Sequence, residues 1–198
     1  MELKDFKKEN YIDFYEEVDT IPCSPTTDNG SEWYGYITKQ GLDLNEILDA
    51  IEIPDNPKIV DLGSGYCENL LYLSSYFGSQ DNHAVEMNTT YNEYMTTAIP
   101  QYNLPITLHE ENFLEHDIST YDVLYSFSPA MTTENYAAYT DYVLENMKVG
   151  AIWVEVLSHE PNPIEWDTKE TVQKAISRYG GVVDVLYEDG TVIVLQKT

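Results

Sequence analysis

Apolar and polar positions along most of this chain alternate between two periods. Lys58–Leu62 is a short apolar run leading into Gly63-Ser64-Gly65, the pattern of a buried strand. Leu70, Leu73 and Phe77 then recur at helical spacing, and Gly78 closes that helix. The rhythm continues with a strand at His83–Met87, a helix at Thr89–Ala98 and strands at Ile106–Glu110 and Tyr121–Phe127. A helix presenting Tyr136, Tyr139, Val143 and Met147 on one face runs up to Gly150, and Ala151–Leu157 is a fifth strand. Asp167 and Glu170 make a capping box for a helix that buries Val172, Ile176 and Tyr179 and stops at Gly180-Gly181. Val182–Tyr187 and Thr191–Gln196 read as a hairpin around Asp189-Gly190.

Strands alternating with helices imply a parallel sheet, because parallel neighbours need crossover connections. The expected architecture is therefore α/β: a seven-stranded Rossmann-like sheet with helices on both faces, mostly parallel, ending in an antiparallel C-terminal hairpin. Upstream, residues 1–40 are irregular and rich in Tyr, Asp and Thr, with turn signals at Ser24-Pro25 and Asp28-Asn29-Gly30. A short helix at about Asp43–Ile51 ends before Pro54 and Pro57. This divides the chain into an N-terminal extension or lid at 1–42 and a folded domain at 43–198.

Charge changes the picture more than length does. The 198 residues carry 10 basic and 35 acidic side chains, a formal net charge of -25. No Lys or Arg occurs between Ile59 and Met147. Such a surface repels phosphate backbones and attracts cations, so nucleic acid is not the expected partner and an amine is. Solubility or adaptation to salt is the competing explanation of the same charge. No apolar run suffices for a membrane span, and the charged start is not a signal peptide. Cys23 and Cys67 form no CxxC pair and read as free thiols in a reducing cytoplasm, with a bridge between them as the alternative.

Ligands of parallel α/β sheets bind beyond the carboxyl ends of the strands. The first strand ends in Asp61-Leu62-Gly63-Ser64-Gly65, where glycine lets the backbone turn tightly and approach a ligand. Glu86, 21 residues beyond Gly65, ends the second strand, where an acid can accept two ribose hydroxyls. A dinucleotide fingerprint wants a third glycine at position 68, but Glu68 stands there and would repel a pyrophosphate. The residues thus favour an adenosine ligand bearing positive charge over one bearing phosphate. No Gly-Lys-Ser/Thr loop occurs either.

On these residues the chain resembles the class I methyltransferase superfamily over about Lys58–Gln196. Asp61–Gly65 is similar to its glycine motif, Glu86-Met87 to its ribose acid and the residue following, and Glu111-Asn112-Phe113 to its adenine turn. The resemblance implies that S-adenosylmethionine is the cofactor, held by Asp61, Gly63, Ser64, Gly65, Glu86, Met87, Asn112, Phe113 and Ser126. By the same resemblance Asn112 bonds the adenine amine and Phe113 packs on the ring. Cys67 replaces a third motif glycine, and Asn112 stands where the family has Asp. A narrower similarity, over Asp61–Gly65, Val85–Asn88 and Asn112–Glu160, links the chain to small non-SET lysine methyltransferases.

Methyl transfer is an in-line displacement, so alignment matters more than a strong base. Ser126-Phe127-Ser128-Pro129 is neither the Asp/Asn-Pro-Pro-aromatic motif of DNA amino-methylation nor the Pro-Cys of cytosine methylation. His159 and Glu155, past and inside the fifth strand, are the candidate catalytic residues; a solvated loop histidine and a polar core contact are the alternatives. Tyr11, Tyr15, Trp33, Tyr34 and Tyr36 form either an aromatic lid over a cation or a packing surface. Lys39 is a candidate for the methionine carboxylate. His109 and His116 have a spacing that matches no zinc motif, so no metal is expected and both histidines are expected to be exposed. Three activities fit these features: N-methylation of a small amine or protein lysine, a catalytically silent acidic binder on the same fold, and aminopropyl transfer, whose glycine-rich and acidic signature is missing.

Overall fold

Strand residues alternate strictly between two apolar layers. A computed structural model describes residues 10–18, 20–21, 48–49, 51–127, 133–157, 168–188 and 192–198. Its elements are α1 (Ile12–Val18), β1 (Lys58–Leu62), α2 (Glu68–Phe77), β2 (Asp81–Glu86), α3 (Thr89–Tyr102), β3 (Thr107–Glu110), β4 (Val123–Phe127), α4 (Thr133–Asn146), β5 (Ile152–Val156), α5 (Thr168–Arg178), β6 (Val183–Glu188) and β7 (Val192–Lys197). They form one seven-stranded sheet of order β3-β2-β1-β4-β5-β7-β6. Strands β1 to β5 pair in parallel, while β7 lies antiparallel between β5 and β6. This is the expected α/β class, with the C-terminal hairpin supplying the one antiparallel strand of the sheet.

Each side of the sheet has its own core. Ile59, Ala84, Val123, Tyr125, Val154 and Val194 meet α1, α2 and α3 through Phe14, Leu70, Leu73 and Met95. Val60, Val85, Leu124, Trp153 and Leu195 meet α4 and α5 through Tyr139, Val143 and Val172. Helices therefore cover both faces, as period-2 strands with two buried sides require. The predicted stripe on α4 holds in full: Tyr136, Tyr139, Val143 and Met147 are all buried.

Strand ends shift by one or two residues from expectation, and α3 differs more. The helix expected to stop at Ala98 continues to Tyr102, through Pro100. Proline removes the bond to the Thr96 carbonyl, but Thr96 and Pro100 are exposed, so water serves that carbonyl. The true stop is Asn103, left-handed at φ 53°, after which Leu104 N–H returns to the Ile99 carbonyl at 2.9 Å.

At the N-terminus, α1 packs on α3. Phe14 and Tyr15 are buried, and the Phe14 ring stacks on Tyr94 and meets Tyr102 edge-on. Tyr15 donates its hydroxyl to the Glu68 carbonyl at 3.1 Å. Tyr11 and Tyr15 thus take the packing role rather than that of a lid. Trp33, Tyr34, Tyr36, Lys39 and Cys23 lie outside the described residues, as do most of the expected helix at 43–51 and the turn at 189–191. No helix among the described residues is long and apolar enough to cross a membrane.

Candidate functional site

The strand order reverses between β1 and β4, which opens a crevice beyond the carboxyl end of β1. Gly63 leaves the strand at φ 80° and Gly65 follows at φ 52°, both in the left-handed region that a side chain disfavours. The turn is fastened to the neighbouring strand. Gly63 and Ser64 donate their N–H groups to the Val85 carbonyl at 2.9 and 3.2 Å, and Gly65 donates to the Glu86 carboxylate at 2.9 Å. The other Glu86 oxygen accepts Asn88 N–H at 2.8 Å. The glycine turn and the acid one strand away therefore lie in direct contact.

Cys67 carries the turn into α2. It adopts φ 60° and ψ 19°, the left-handed conformation that glycine would take most cheaply, with its side chain wholly buried. Around it stand three buried carboxyl groups: Asp61 is 3 % exposed, Glu68 2 % and Glu86 8 %. Burial, reinforced by the Glu86 charge, pushes Asp61 well above the usual carboxylate range. Burial also raises Glu86, against the opposing pull of backbone donors from Asn88, Gly65 and Met87. The Cys67 thiol is pushed up by burial and then by the Asp61 charge.

These features gather three buried carboxyl groups behind the glycine turn. The Ser64 hydroxyl is buried there, beside the Cys67 thiol. Met87, next to the acid, is 37 % exposed. The chemistry of these groups suits an adenosine ligand without phosphate: a carboxyl group for a ribose diol, a hydroxyl, and no cationic side chain among them.

The remaining expected residues lie elsewhere. Asn112 caps its own turn, its side-chain oxygen accepting Leu114 N–H at 3.0 Å. The Phe113 ring is buried edge-on against Tyr139, 4.9 Å between centroids, within the core under α4. Ser126 and Glu155 are paired across β4 and β5 and fully buried on the same side. Ser126 donates to Glu155, Tyr136 donates to the other Glu155 oxygen at 2.6 Å, and Tyr139 and Trp153 donate to Ser126 at 2.6 and 3.0 Å. This network is buried beneath α4. His159 and Glu160 lie outside the described residues.

Local spacing also misjudged a second cluster. His116 is 7 % exposed rather than solvated. The connection after β3 folds back over the sheet edge and brings His116 beside His109, 4.5 Å between ring centroids, while strand register places His83 against His109. Register between β2 and β3 is a long-range property, invisible in the distance from 109 to 116.

No protein-family profile matches the chain, and no curated protein matches its sequence. Solved structures do resemble it. Precorrin-6y C5,15-methyltransferase from Geobacter metallireducens is 16 % identical over 89 % of this chain and 93 % of its own, with a TM-score of 0.61. A SAM-dependent O-methyltransferase from Thermotoga maritima is 15 % identical over 81 % and 66 %, at TM-score 0.60. An RNA methyltransferase from Salinibacter ruber, solved with S-adenosyl-L-homocysteine, is 11 % identical over 81 % and 93 %, at 0.55. At such identities the likeness is one of architecture: this protein has the Rossmann-like fold of the class I methyltransferases.

Proposed function

We propose that the protein is an S-adenosylmethionine-dependent methyltransferase whose acceptor is a cationic amine, either a small molecule or a protein lysine. The observation that carries this reading is the Gly65–Glu86 bond beside buried Asp61 and Glu68. Bound there, the cofactor supplies an electrophilic methyl group on a positively charged sulfur. Glu86 takes the ribose hydroxyls, Gly63 and Gly65 allow close approach, and Asp61 with Glu68 favours the cation over any phosphate-bearing nucleotide. Met87 offers a face for the adenine. The net charge of -25 supports an amine acceptor and works against a phosphate backbone.

A second reading, a catalytically silent binder, is favoured by Glu155, whose carboxylate is consumed by Ser126 and Tyr136. Calorimetry with S-adenosylmethionine and S-adenosylhomocysteine tests the common part. Binding is expected for both, with Glu86→Gln weaker by about 10- to 100-fold through loss of charge-assisted bonds. Absence of binding to either ligand removes both readings. Tritiated methyl transfer to a host lysate, separated into protein, RNA and small-molecule fractions, then divides them. Label in RNA overturns the amine acceptor, and binding without any transfer selects the silent protein.

A further inference from the structure

Three histidines converge on one edge of the sheet, on the side away from α2. His116 places Nδ1 2.6 Å from a Glu111 carboxylate oxygen and Nε2 2.8 Å from the Tyr121 hydroxyl. His109 Nε2 lies 2.8 Å from His83 Nδ1, and His83 Nε2 lies 2.7 Å from Asp81. His83 and His116 are therefore held through both ring nitrogens, and His109 through Nε2. With Nε2 tied to His83, Nδ1 is the nitrogen His109 has to offer, and it makes no hydrogen bond among the described residues. One ligand atom from each of His109, Glu111 and His116 falls within 4.8 Å of the others.

We propose that His109, Glu111 and His116 bind a zinc ion, with His83 and Tyr121 as its outer partners. Two imidazoles and a carboxylate, with a fourth position open to water, are a common zinc donor set. Tetrahedral bonds of about 2.0–2.1 Å place ligand atoms roughly 3.3 Å apart, so the cluster needs only a modest adjustment. The Glu111 side chain is 42 % exposed, which leaves an entry path and room for the water. With zinc on the Nδ1 atoms, His109 donates Nε2–H to His83, His83 donates to Asp81, and His116 donates Nε2–H to the Tyr121 oxygen, bonds of the kind that fix ligand tautomers. Asp81, Glu111 and Asp117 surround the cluster, and the nearby Lys58 ammonium is held over the Tyr121 ring and by Thr120. Zinc here would pin the connection that carries Asn112 and Phe113 to the sheet edge. The site does not depend on the proposed cofactor.

Titration of zinc sulfate into the chelator-treated full chain tests this, with magnesium in excess to occupy oxygen-only sites on the acidic surface. One zinc per chain is expected. His109→Ala and His116→Ala each weaken binding by about 100-fold, Tyr121→Phe by about 10-fold, and Asp184→Asn, exposed on the strand at the opposite edge of the sheet, leaves it unchanged. If His116→Ala does not fold, the exposed Glu111→Gln still reports, with a loss of about 10-fold. Binding that magnesium abolishes, or one zinc held equally well by wild type, His109→Ala and Glu111→Gln, overturns the assignment.

Discussion

Glu86 closes the glycine turn from the adjacent strand, accepting the Gly65 N–H at 2.9 Å. This bond joins the ends of β1 and β2 beside two further buried acids, Asp61 and Glu68. A site assembled this way trades stability for a negative field, and that exchange can be measured.

The pH dependence of folding follows from the two raised carboxyls. Asp61 and Glu86 have ordinary values of 3.8 and 4.5 and are raised in the native state by burial. Above those ordinary values the native protein holds more protons than the unfolded chain, so stability falls as pH rises toward and through the native values. His109 acts oppositely, because burial lowers it from 6.5 and costs stability as pH drops below that value. The unliganded protein should therefore lose stability as pH rises above about 4.5, with His109 offsetting part of that loss up to about pH 6.5. Asp61→Asn should flatten that decline and raise Tm at about pH 8 by roughly 2–4 °C, near 1 kcal/mol, while weakening cofactor binding. Thermal melts of both proteins at about pH 6.5 and about pH 8 check it; an Asp61→Asn variant less stable than wild type at the higher pH contradicts it.

Backbone geometry gives a sharper test of the turn. Gly63 sits at φ 80° and its N–H bonds the Val85 carbonyl, so a Cβ forces strain or breaks the fastening. Gly63→Ala should cost about 1–2 kcal/mol in urea unfolding. Affinity for S-adenosylhomocysteine should fall as well. A variant with unchanged stability and affinity would mean that the turn does not hold this conformation in solution.

Beneath α4, the Ser126–Glu155 pair predicts a structural phenotype. Ser126→Ala leaves the Tyr139 hydroxyl and Trp153 indole without their acceptor and removes a donor from Glu155. The loss should be about 2–3 kcal/mol, the penalty of buried polar groups left unpaired. Glu155→Ala should cost roughly 3–5 kcal/mol by stripping Tyr136 and Ser126 together. Chemical denaturation measures both. A stable Glu155→Ala protein that has lost only turnover would instead make Glu155 part of the chemistry.

Much of this arrangement was legible from local pattern. The strand at Lys58–Leu62 runs as expected because Ile59, Val60 and Leu62, crowded just before Gly63, fit a short buried strand and leave no room for a helical repeat. Gly78 ends α2 at φ 65°, as its position after Phe77 implies. What local pattern could not supply was partnership across the sheet. Ser126 looked like a strand-end residue available to a ligand, yet its register with Glu155 and the facing Tyr139 turn it inward. His109 and His116 looked exposed because the pairing that brings His83 between strands spans 26 residues. Pro100 misled in the opposite sense, since a solvent-facing last turn tolerates it.

Cys67 tests how tightly the glycine turn is closed. Its thiol has no exposed surface, stands among Asp61, Glu86 and Glu68, and is pushed well above the ordinary cysteine range by burial and then by Asp61. Only the thiolate attacks a disulfide reagent, and both burial and negative neighbours suppress it. In a Cys23→Ser background, Cys67 should react on the order of 100-fold more slowly in the native protein than in denaturant. The residual rate should track opening of the glycine turn, so S-adenosylhomocysteine should slow it further if it binds at that turn. Rapid native labelling, insensitive to that ligand, would show that the turn opens freely and would leave the Gly65–Glu86 bond unable to organise a binding site.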